Sequence, residues 1–145
     1  MPRKPTEQAV HEFTQAIAHL VRRVRAAAAT HDLSLTESAV ITRLDKHGPA
    51  TTAGLARAES IKPQSMGATI AALEARGIVA RKPHPTDRRQ FHIHLTPKGR
   101  AIRQTTREAK HTWIAQHIAQ LTPHERQTLF AAGHILKRMV DKAGP

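Results

Sequence analysis

The sequence predicts a mainly α-helical domain interrupted by one two-stranded β-hairpin, and three observations predict it. Apolar residues recur at steps of three and four from the start, at Val10, Phe13, Ile17, Leu20 and Val24, which is the spacing of one helix face. Three helix starts, Lys62-Pro63, Thr96-Pro97 and Thr122-Pro123, put proline at the first helical position, where its missing N–H is no loss. Only near residues 78–95 does the period shorten to two, with Phe91, Ile93 and Leu95 alternating with His92 and His94, as in a strand with one buried face. Hydrophobic residues make up 39% of the 145 and aromatics only 3%, so the core is aliphatic, which suits helix-on-helix packing.

The elements follow in order. The first helix runs from Thr6 to about Thr30, and its narrow apolar seam fits a second helix, from the same chain or from another subunit. Arg22, Arg23 and Arg25 stand near its C-terminal end, where cations suit the macrodipole. Leu35-Thr36-Glu37 opens the second helix with Thr36 as N-cap; Val40 and Leu44 face inward, and Gly48-Pro49 ends it. A short third helix, about Ala53 to Glu59, takes Thr52 as N-cap and buries Leu55. The fourth starts at Pro63, which pushes Lys62 out of helical conformation, and stops at Gly77, a left-handed C-cap position. Ile78 to Lys82 reads as a strand and Gln90 to Leu95 as its antiparallel partner; Pro83 and Pro85 cannot donate to a ladder and force the chain out of the sheet between them. A long helix opens at Thr96-Pro97 and reaches about Gln120, burying Ile102, Ala109, Trp113, Ile118 and, just beyond its end, Leu121. The last opens with a capping box, Thr122 and Glu125, and runs to about Val140 with Leu129, Phe130, Leu136 and Val140 facing in.

The fourth helix has two unlike faces. Met66, Ile70 and Leu73 pack inward, whereas Ser65, Thr69, Ala72 and Arg76 share the other side with Gln64 and Ala68 alongside. A solvated face usually carries Lys and Glu; this one is polar but small until Arg76, as though another molecule must approach it closely. Charge says which kind. The formal net charge is +12, and residues 51–100 hold nine Lys or Arg against three Asp or Glu, so the partner is an acidic polyelectrolyte. A short helix, a turn and a small-faced helix make a helix-turn-helix, whose second member offers its N-terminal residues to base edges in the major groove. The hairpin directly after it is then a wing. Asp87 holds a neighbouring arginine in a wing salt bridge and stiffens the loop, and at least one of Arg88 and Arg89 enters the minor groove.

The candidate DNA-binding residues are Thr52, Lys62, Pro63, Gln64, Ser65, Thr69, Arg76, Arg81, Lys82, Arg88 and Arg89, with Asp87 as the wing salt bridge. Gln64 and Ser65 sit in the first turn, next to free backbone N–H groups. Thr69 lies one turn on, its methyl able to meet a thymine methyl. Lys62, Arg76, Arg81 and Lys82 are phosphate contacts, with Lys98 a further one. Thr52 offers a hydroxyl that helix capping already explains.

With these residues on the page, the chain resembles the MarR family of bacterial transcriptional regulators. The resemblance is carried by Leu35-Thr36, the stretch "TTAGLARAESIKPQSMGATIAALEARGIVAR" at 51–81, "HPTDRR" at 84–89 and "LTPKG" at 95–99, and it spans nearly the whole chain. It implies one MarR-type domain over 1–145, with a winged helix-turn-helix DNA-binding lobe at about 34–98 flanked by dimerisation helices at about 6–30 and 97–140. It further implies an obligate homodimer whose first, fifth and sixth helices interleave, and a pseudo-palindromic double-stranded operator with a recognition helix in each of two successive major grooves. A small aromatic or anionic effector between the lobe and the dimerisation helices would release a repressor from DNA; its ligand residues are not assigned. No cofactor is implied.

Several other functions are weakened or excluded. With no cysteine, disulfides, thiolate zinc and thiol-based sensing are out. There is no phosphate-cradling glycine loop and no H-E-x-x-H, and none of the 11 acidic residues forms a suggestive pair, so an enzyme is not expected. MPRKPTEQAV has no apolar run behind its basic residues, and no secretory signal or membrane span is expected; the expected location is the cytoplasm, on the bacterial nucleoid. Two rival functions remain. A winged-helix module could bind a protein partner, although such a module would not need a basic hairpin tip. A metal-responsive regulator could use His84, His92 and His94 of the wing, although a solvent- or phosphate-facing strand explains them equally, with protonation below pH ~6.5 adding to DNA attraction.

Overall fold

Side-chain caps decide where the helices begin. In the computed structural model, which describes residues 4–29 and 31–144, Thr6 caps α1 (Glu7–Ala27), Thr96 caps α5 (Pro97–Ala119) and Thr122 caps α6 (Pro123–Ala143), each hydroxyl accepting a backbone N–H three residues on. The expected capping box of α6 is complete, since Glu125 also accepts the Thr122 N–H at 2.8 Å. Two caps differ from expectation. Ser34, not Thr36, caps α2 (Leu35–His47), accepting the Glu37 N–H at 3.1 Å. Thr51, not Thr52, caps α3 (Thr52–Ala58), accepting from Gly54 at 3.0 Å. In both places a residue one or two positions away was equally suited by type, and the extended residue wins because its hydroxyl reaches the N3 position. The first helix ends at Ala27, short of the expected limit, whose Thr30 lies outside the described residues.

The fourth helix, α4 (Pro63–Ala75), starts where proline dictates; Arg76 is its C-cap and Gly77 takes φ 72°. β1 (Val79–Pro83) and β2 (Phe91–Leu95) pair antiparallel with Val79 opposite Leu95 and Pro83 opposite Phe91. Pro83 therefore lies inside the hairpin, contrary to expectation. In a two-stranded sheet both strands are edges, so a terminal proline removes no required bond, and the chain leaves one residue later, after His84 N–H has bonded Gln90 O at 3.1 Å. Ile78 falls just outside the strand, its N–H finishing the α4 turn on Leu73 O. Gln90 also drops out, its N–H turned onto Asp87 O. Sequence reading missed one junction: Ala50 and Ile93 exchange backbone hydrogen bonds of 3.1 and 2.7 Å, pinning the α2–α3 connection to the hairpin.

The intrachain core lies between residues 40 and 102. Val40, Leu55, Met66, Ile70, Leu73, Ile78 and Ile93 are fully buried, and Val79, Leu95 and Ile102 close around them. Ile41 and Leu44 complete the α2 contribution. Phe91, expected inside with Ile93 and Leu95, is instead 49% exposed; it pairs with Pro83 at the loop end of the hairpin, the pair farthest from Val79 and Leu95. Beyond Ile102 the expected interior of α5 is only half-buried, Ala109, Trp113 and Ile118 included, as is Leu121. On α6 Leu129, Phe130 and Val140 are exposed and Leu136 is half-buried. Neither α1 nor α6, 21 residues each, has one buried residue. The helical periods of their apolar residues are correct, but among the described residues no neighbour covers them fully, although α1 packs in part against α5.

Candidate nucleic-acid interface

The interface is built on α4 and the hairpin. Met66, Ile70 and Leu73 anchor one face of α4 in the core, which turns Lys62, Pro63, Gln64 and Ser65 to solvent at its start. Lys62 makes no side-chain cap bond, so first-turn N–H groups stay free and aligned with the positive end of the helix dipole. Thr69 is half-buried, and its hydroxyl donates to Ser65 O at 3.1 Å; the hydroxyl is occupied locally while the methyl group stays with the small-residue face. Ala68 and Ala72 beside it are exposed. Thr52 sits half-buried in the first turn of α3.

The loop between the strands is rigid by a different device from the expected salt bridge. Asp87 Oδ1 accepts the backbone N–H of Arg89 at 3.0 Å, and among the described residues Asp87 forms no ion pair with either arginine. Two residues after an Asp, the backbone N–H competes successfully for the carboxylate, as in an Asx-turn. His84 supplies the second clasp: its Nδ1 accepts the N–H groups of Thr86 and Asp87 at 3.2 and 3.1 Å. Sequence reading missed this role. Its signal was a short side chain with an acceptor placed just before Pro-Thr-Asp. Both arginine side chains are consequently exposed, with no hydrogen-bond or ion-pair partner among the described residues.

Other candidate cations are engaged within the chain. Arg81 Nε donates to Glu74 Oε2 at 3.2 Å, tying β1 to α4. Lys98 Nζ donates to Arg76 O at 2.7 Å. Arg76 turns away from the small-residue face, its guanidinium donating to His31 O at 2.6 Å and Asp32 O at 3.2 Å beside Glu37. Lys82 is exposed and unengaged among the described residues. Of the wing histidines, His84 and His92 meet edge to face with ring centroids 4.5 Å apart. No group of three His, Asp or Glu among the described residues is placed to hold a metal ion. His94 resists the protonation that would add to DNA attraction: burial first, then Lys82 and Arg100, hold its pKa below the usual histidine value.

A cleft of about 360 Å³ lies between the C-terminal end of α1, α2 and the first turns of α5. Ile41 and Ile102 contribute its apolar wall, and Arg25, His31, Lys46 and Lys110 bring basic groups to it. Burial first, then Arg103 and Arg25, lower the Lys110 pKa. No helix among the described residues is long and apolar enough to cross a membrane.

Residues 33–91 match the sequence profile of the MarR family. An HTH-type transcriptional regulator of Mycobacterium bovis is 31% identical over 132 residues, covering 91% of this chain and 92% of that protein. The crystal structure of RV1404 from Mycobacterium tuberculosis superposes with a TM-score of 0.84 at 25% identity, covering 100% of this chain and 99% of that one. A MepR variant of S. aureus, bound to an oligodeoxyribonucleotide, has the same fold with a TM-score of 0.71 at 16% identity, covering 97% and 99%. The six helices and the antiparallel hairpin are thus those of a MarR-like winged helix. The chain belongs to the MarR family of DNA-binding, helix-turn-helix transcriptional regulators.

Proposed function

We propose that the protein is a homodimeric repressor of a pseudo-palindromic operator, released from it by a small anionic ligand. The observation that carries the DNA contact is the pairing of two surfaces: the exposed first turn of α4, with Gln64 and Ser65, and a stiff loop that leaves both Arg88 and Arg89 unpartnered among the described residues. The first suits base edges in a major groove and the second the narrow, negative minor groove beside it. The oligonucleotide bound to the MepR variant supports the same use of the fold. A bound dimer covering a promoter excludes polymerase, which makes repression the function.

Dimerisation is supported by surface area. A compact monomer of 16.0 kDa exposes about 7,400 Å², whereas this chain exposes 11060 Å². The excess, about 3,700 Å² per chain or about 7,300 Å² for a pair, is at least as large as the surface that obligate homodimers bury, and the exposed apolar residues concentrate it on α1 and α6, at Val10, Phe13, Leu20, Leu129, Phe130 and Met139. The anionic ligand follows from the cleft: Lys110 is a cation weakened by burial and by neighbouring arginines, and a carboxylate there would relieve it.

The test is selection of bound fragments from the source genome, followed by footprinting and sizing in solution. The expected result is a dimer protecting two half-sites about one helical turn apart. A monomer, or protection without sequence preference, would refute the proposal.

A further inference from the structure

Arg76 joins three parts of the molecule. It is the C-cap of α4. Its guanidinium clasps the His31 and Asp32 carbonyls at 2.6 and 3.2 Å and stands 3.5 Å from the Glu37 carboxylate. Its own carbonyl accepts from Lys98 of the α5 first turn at 2.7 Å, and the next carbonyl, of Gly77, accepts from the Thr96 hydroxyl at 2.6 Å. Asp32 holds φ 50°, a left-handed conformation that Asp accepts more readily than most residues. Residues 31–32 lie just ahead of α2, whose first turn holds Glu37, and Lys98 belongs to α5, so the Arg76 side chain ties the end of the recognition helix to the approach to α2 while its backbone carbonyl ties it to α5.

We propose that Arg76 is a positioning residue, which sets α4 against the segment ahead of α2 and against α5 and thereby fixes the half-site spacing that the dimer accepts. This rests on α4 being the recognition helix of a dimer, as proposed above. The planar fork suits two carbonyls at once, a geometry that lysine lacks. His31 also lines the cleft, and its Nε2 is buried without a hydrogen-bond partner among the described residues, so an occupant of the cleft would press on the segment that Arg76 holds.

The test uses the full-length protein, a duplex recovered by the selection above, copies lengthened by one or two base pairs between half-sites, and a random duplex of equal length. Wild type should lose affinity sharply on the lengthened copies. Arg76→Lys keeps the charge but loses the fork; it should dimerise normally, bind the original duplex about 2- to 30-fold more weakly and discriminate less between spacings. Its salt dependence on the random duplex should match wild type. Glu37→Gln, which removes only the flanking carboxylate, should shift the spacing preference in the same direction if Arg76→Lys does not dimerise. Unaltered spacing preference in the dimeric variant would overturn the proposal. So would Arg76→Ala lowering the salt slope by about 2 per dimer, the mark of a lost phosphate contact in each protomer. A wild type indifferent to spacing and sequence would instead overturn the assignment of α4, and the proposal with it.

Discussion

Replacing both wing arginines, Arg88→Ala with Arg89→Ala, removes half of the candidate DNA-binding cations that the fold leaves without an internal partner. Four per chain, Lys62, Lys82, Arg88 and Arg89, are exposed and unpartnered among the described residues, or eight in a dimer, whereas Arg76, Arg81 and Lys98 are held internally. Each neutralised phosphate contributes about −0.9 to the slope of log affinity against log salt, so wild type should show about −7 and the double variant about −4. Raising salt from about 50 to 200 mM then weakens wild type by about four decades and the variant by about two. At fixed low salt, each lost groove contact should cost about 1–3 kcal/mol. Fluorescence anisotropy on a labelled duplex measures both quantities, with the dimer checked by sizing, since neither arginine touches α1 or α6. An unchanged slope would show that the wing points away from DNA.

Two further predictions concern the scaffold. A methyl group on Gly99 would collide with the Ile78 carbonyl and press on Leu95, so Gly99→Ala should lower the unfolding free energy by about 1–3 kcal/mol; a variant as stable as wild type in a denaturant titration would show that this junction is slack. His94 has a folded pKa below the usual 6.5 through burial, Lys82 and Arg100, so the unfolded chain takes up the proton first. Its stability, unaffected above that ordinary value, should decline as pH falls from 6.5 toward the lowered folded value, and His94→Gln should flatten this decline; identical pH profiles would refute the assignment.

Much of this was legible in the residues because local chemistry decides it. Pro63, Thr96 and Thr122 mark helix starts whatever packs nearby, Gly77 marks a left-handed stop, and the alternation at 91–95 marks a strand. Choices among equivalent partners were not legible. Thr51 and Thr52 differ only in which reaches Gly54, and Asp87 prefers a backbone N–H over a guanidinium for reasons of turn geometry. Arg76 lies on the face that sequence assigns to DNA, yet carbonyls 44 and 45 residues away claim it. Such long-range hydrogen bonds leave no periodic trace.

The exposed seams of α1 and α6 illustrate a different boundary. Their spacing identifies an apolar face correctly, but spacing carries no information about which molecule covers it. The buried side chains between Val40 and Ile102 come from α2 through the first turns of α5, so that lobe is organised by contacts within the chain. A 21-residue helix without a buried residue draws little stability from its own propensity in water; α1 and α6 therefore depend on a covering surface that the lobe does not supply. If a second copy supplies that surface, as proposed, the stability of α1 and α6 rises with protomer concentration, while α4 keeps its own internal support. Arg76 stands at the edge of that lobe, since it caps α4 and its guanidinium holds the His31 and Asp32 carbonyls ahead of α2. In the proposed dimer the spacing of recognition helices is then a property of the assembled pair, transmitted to DNA through these hydrogen bonds and through the packing of Ile102 in the lobe's core.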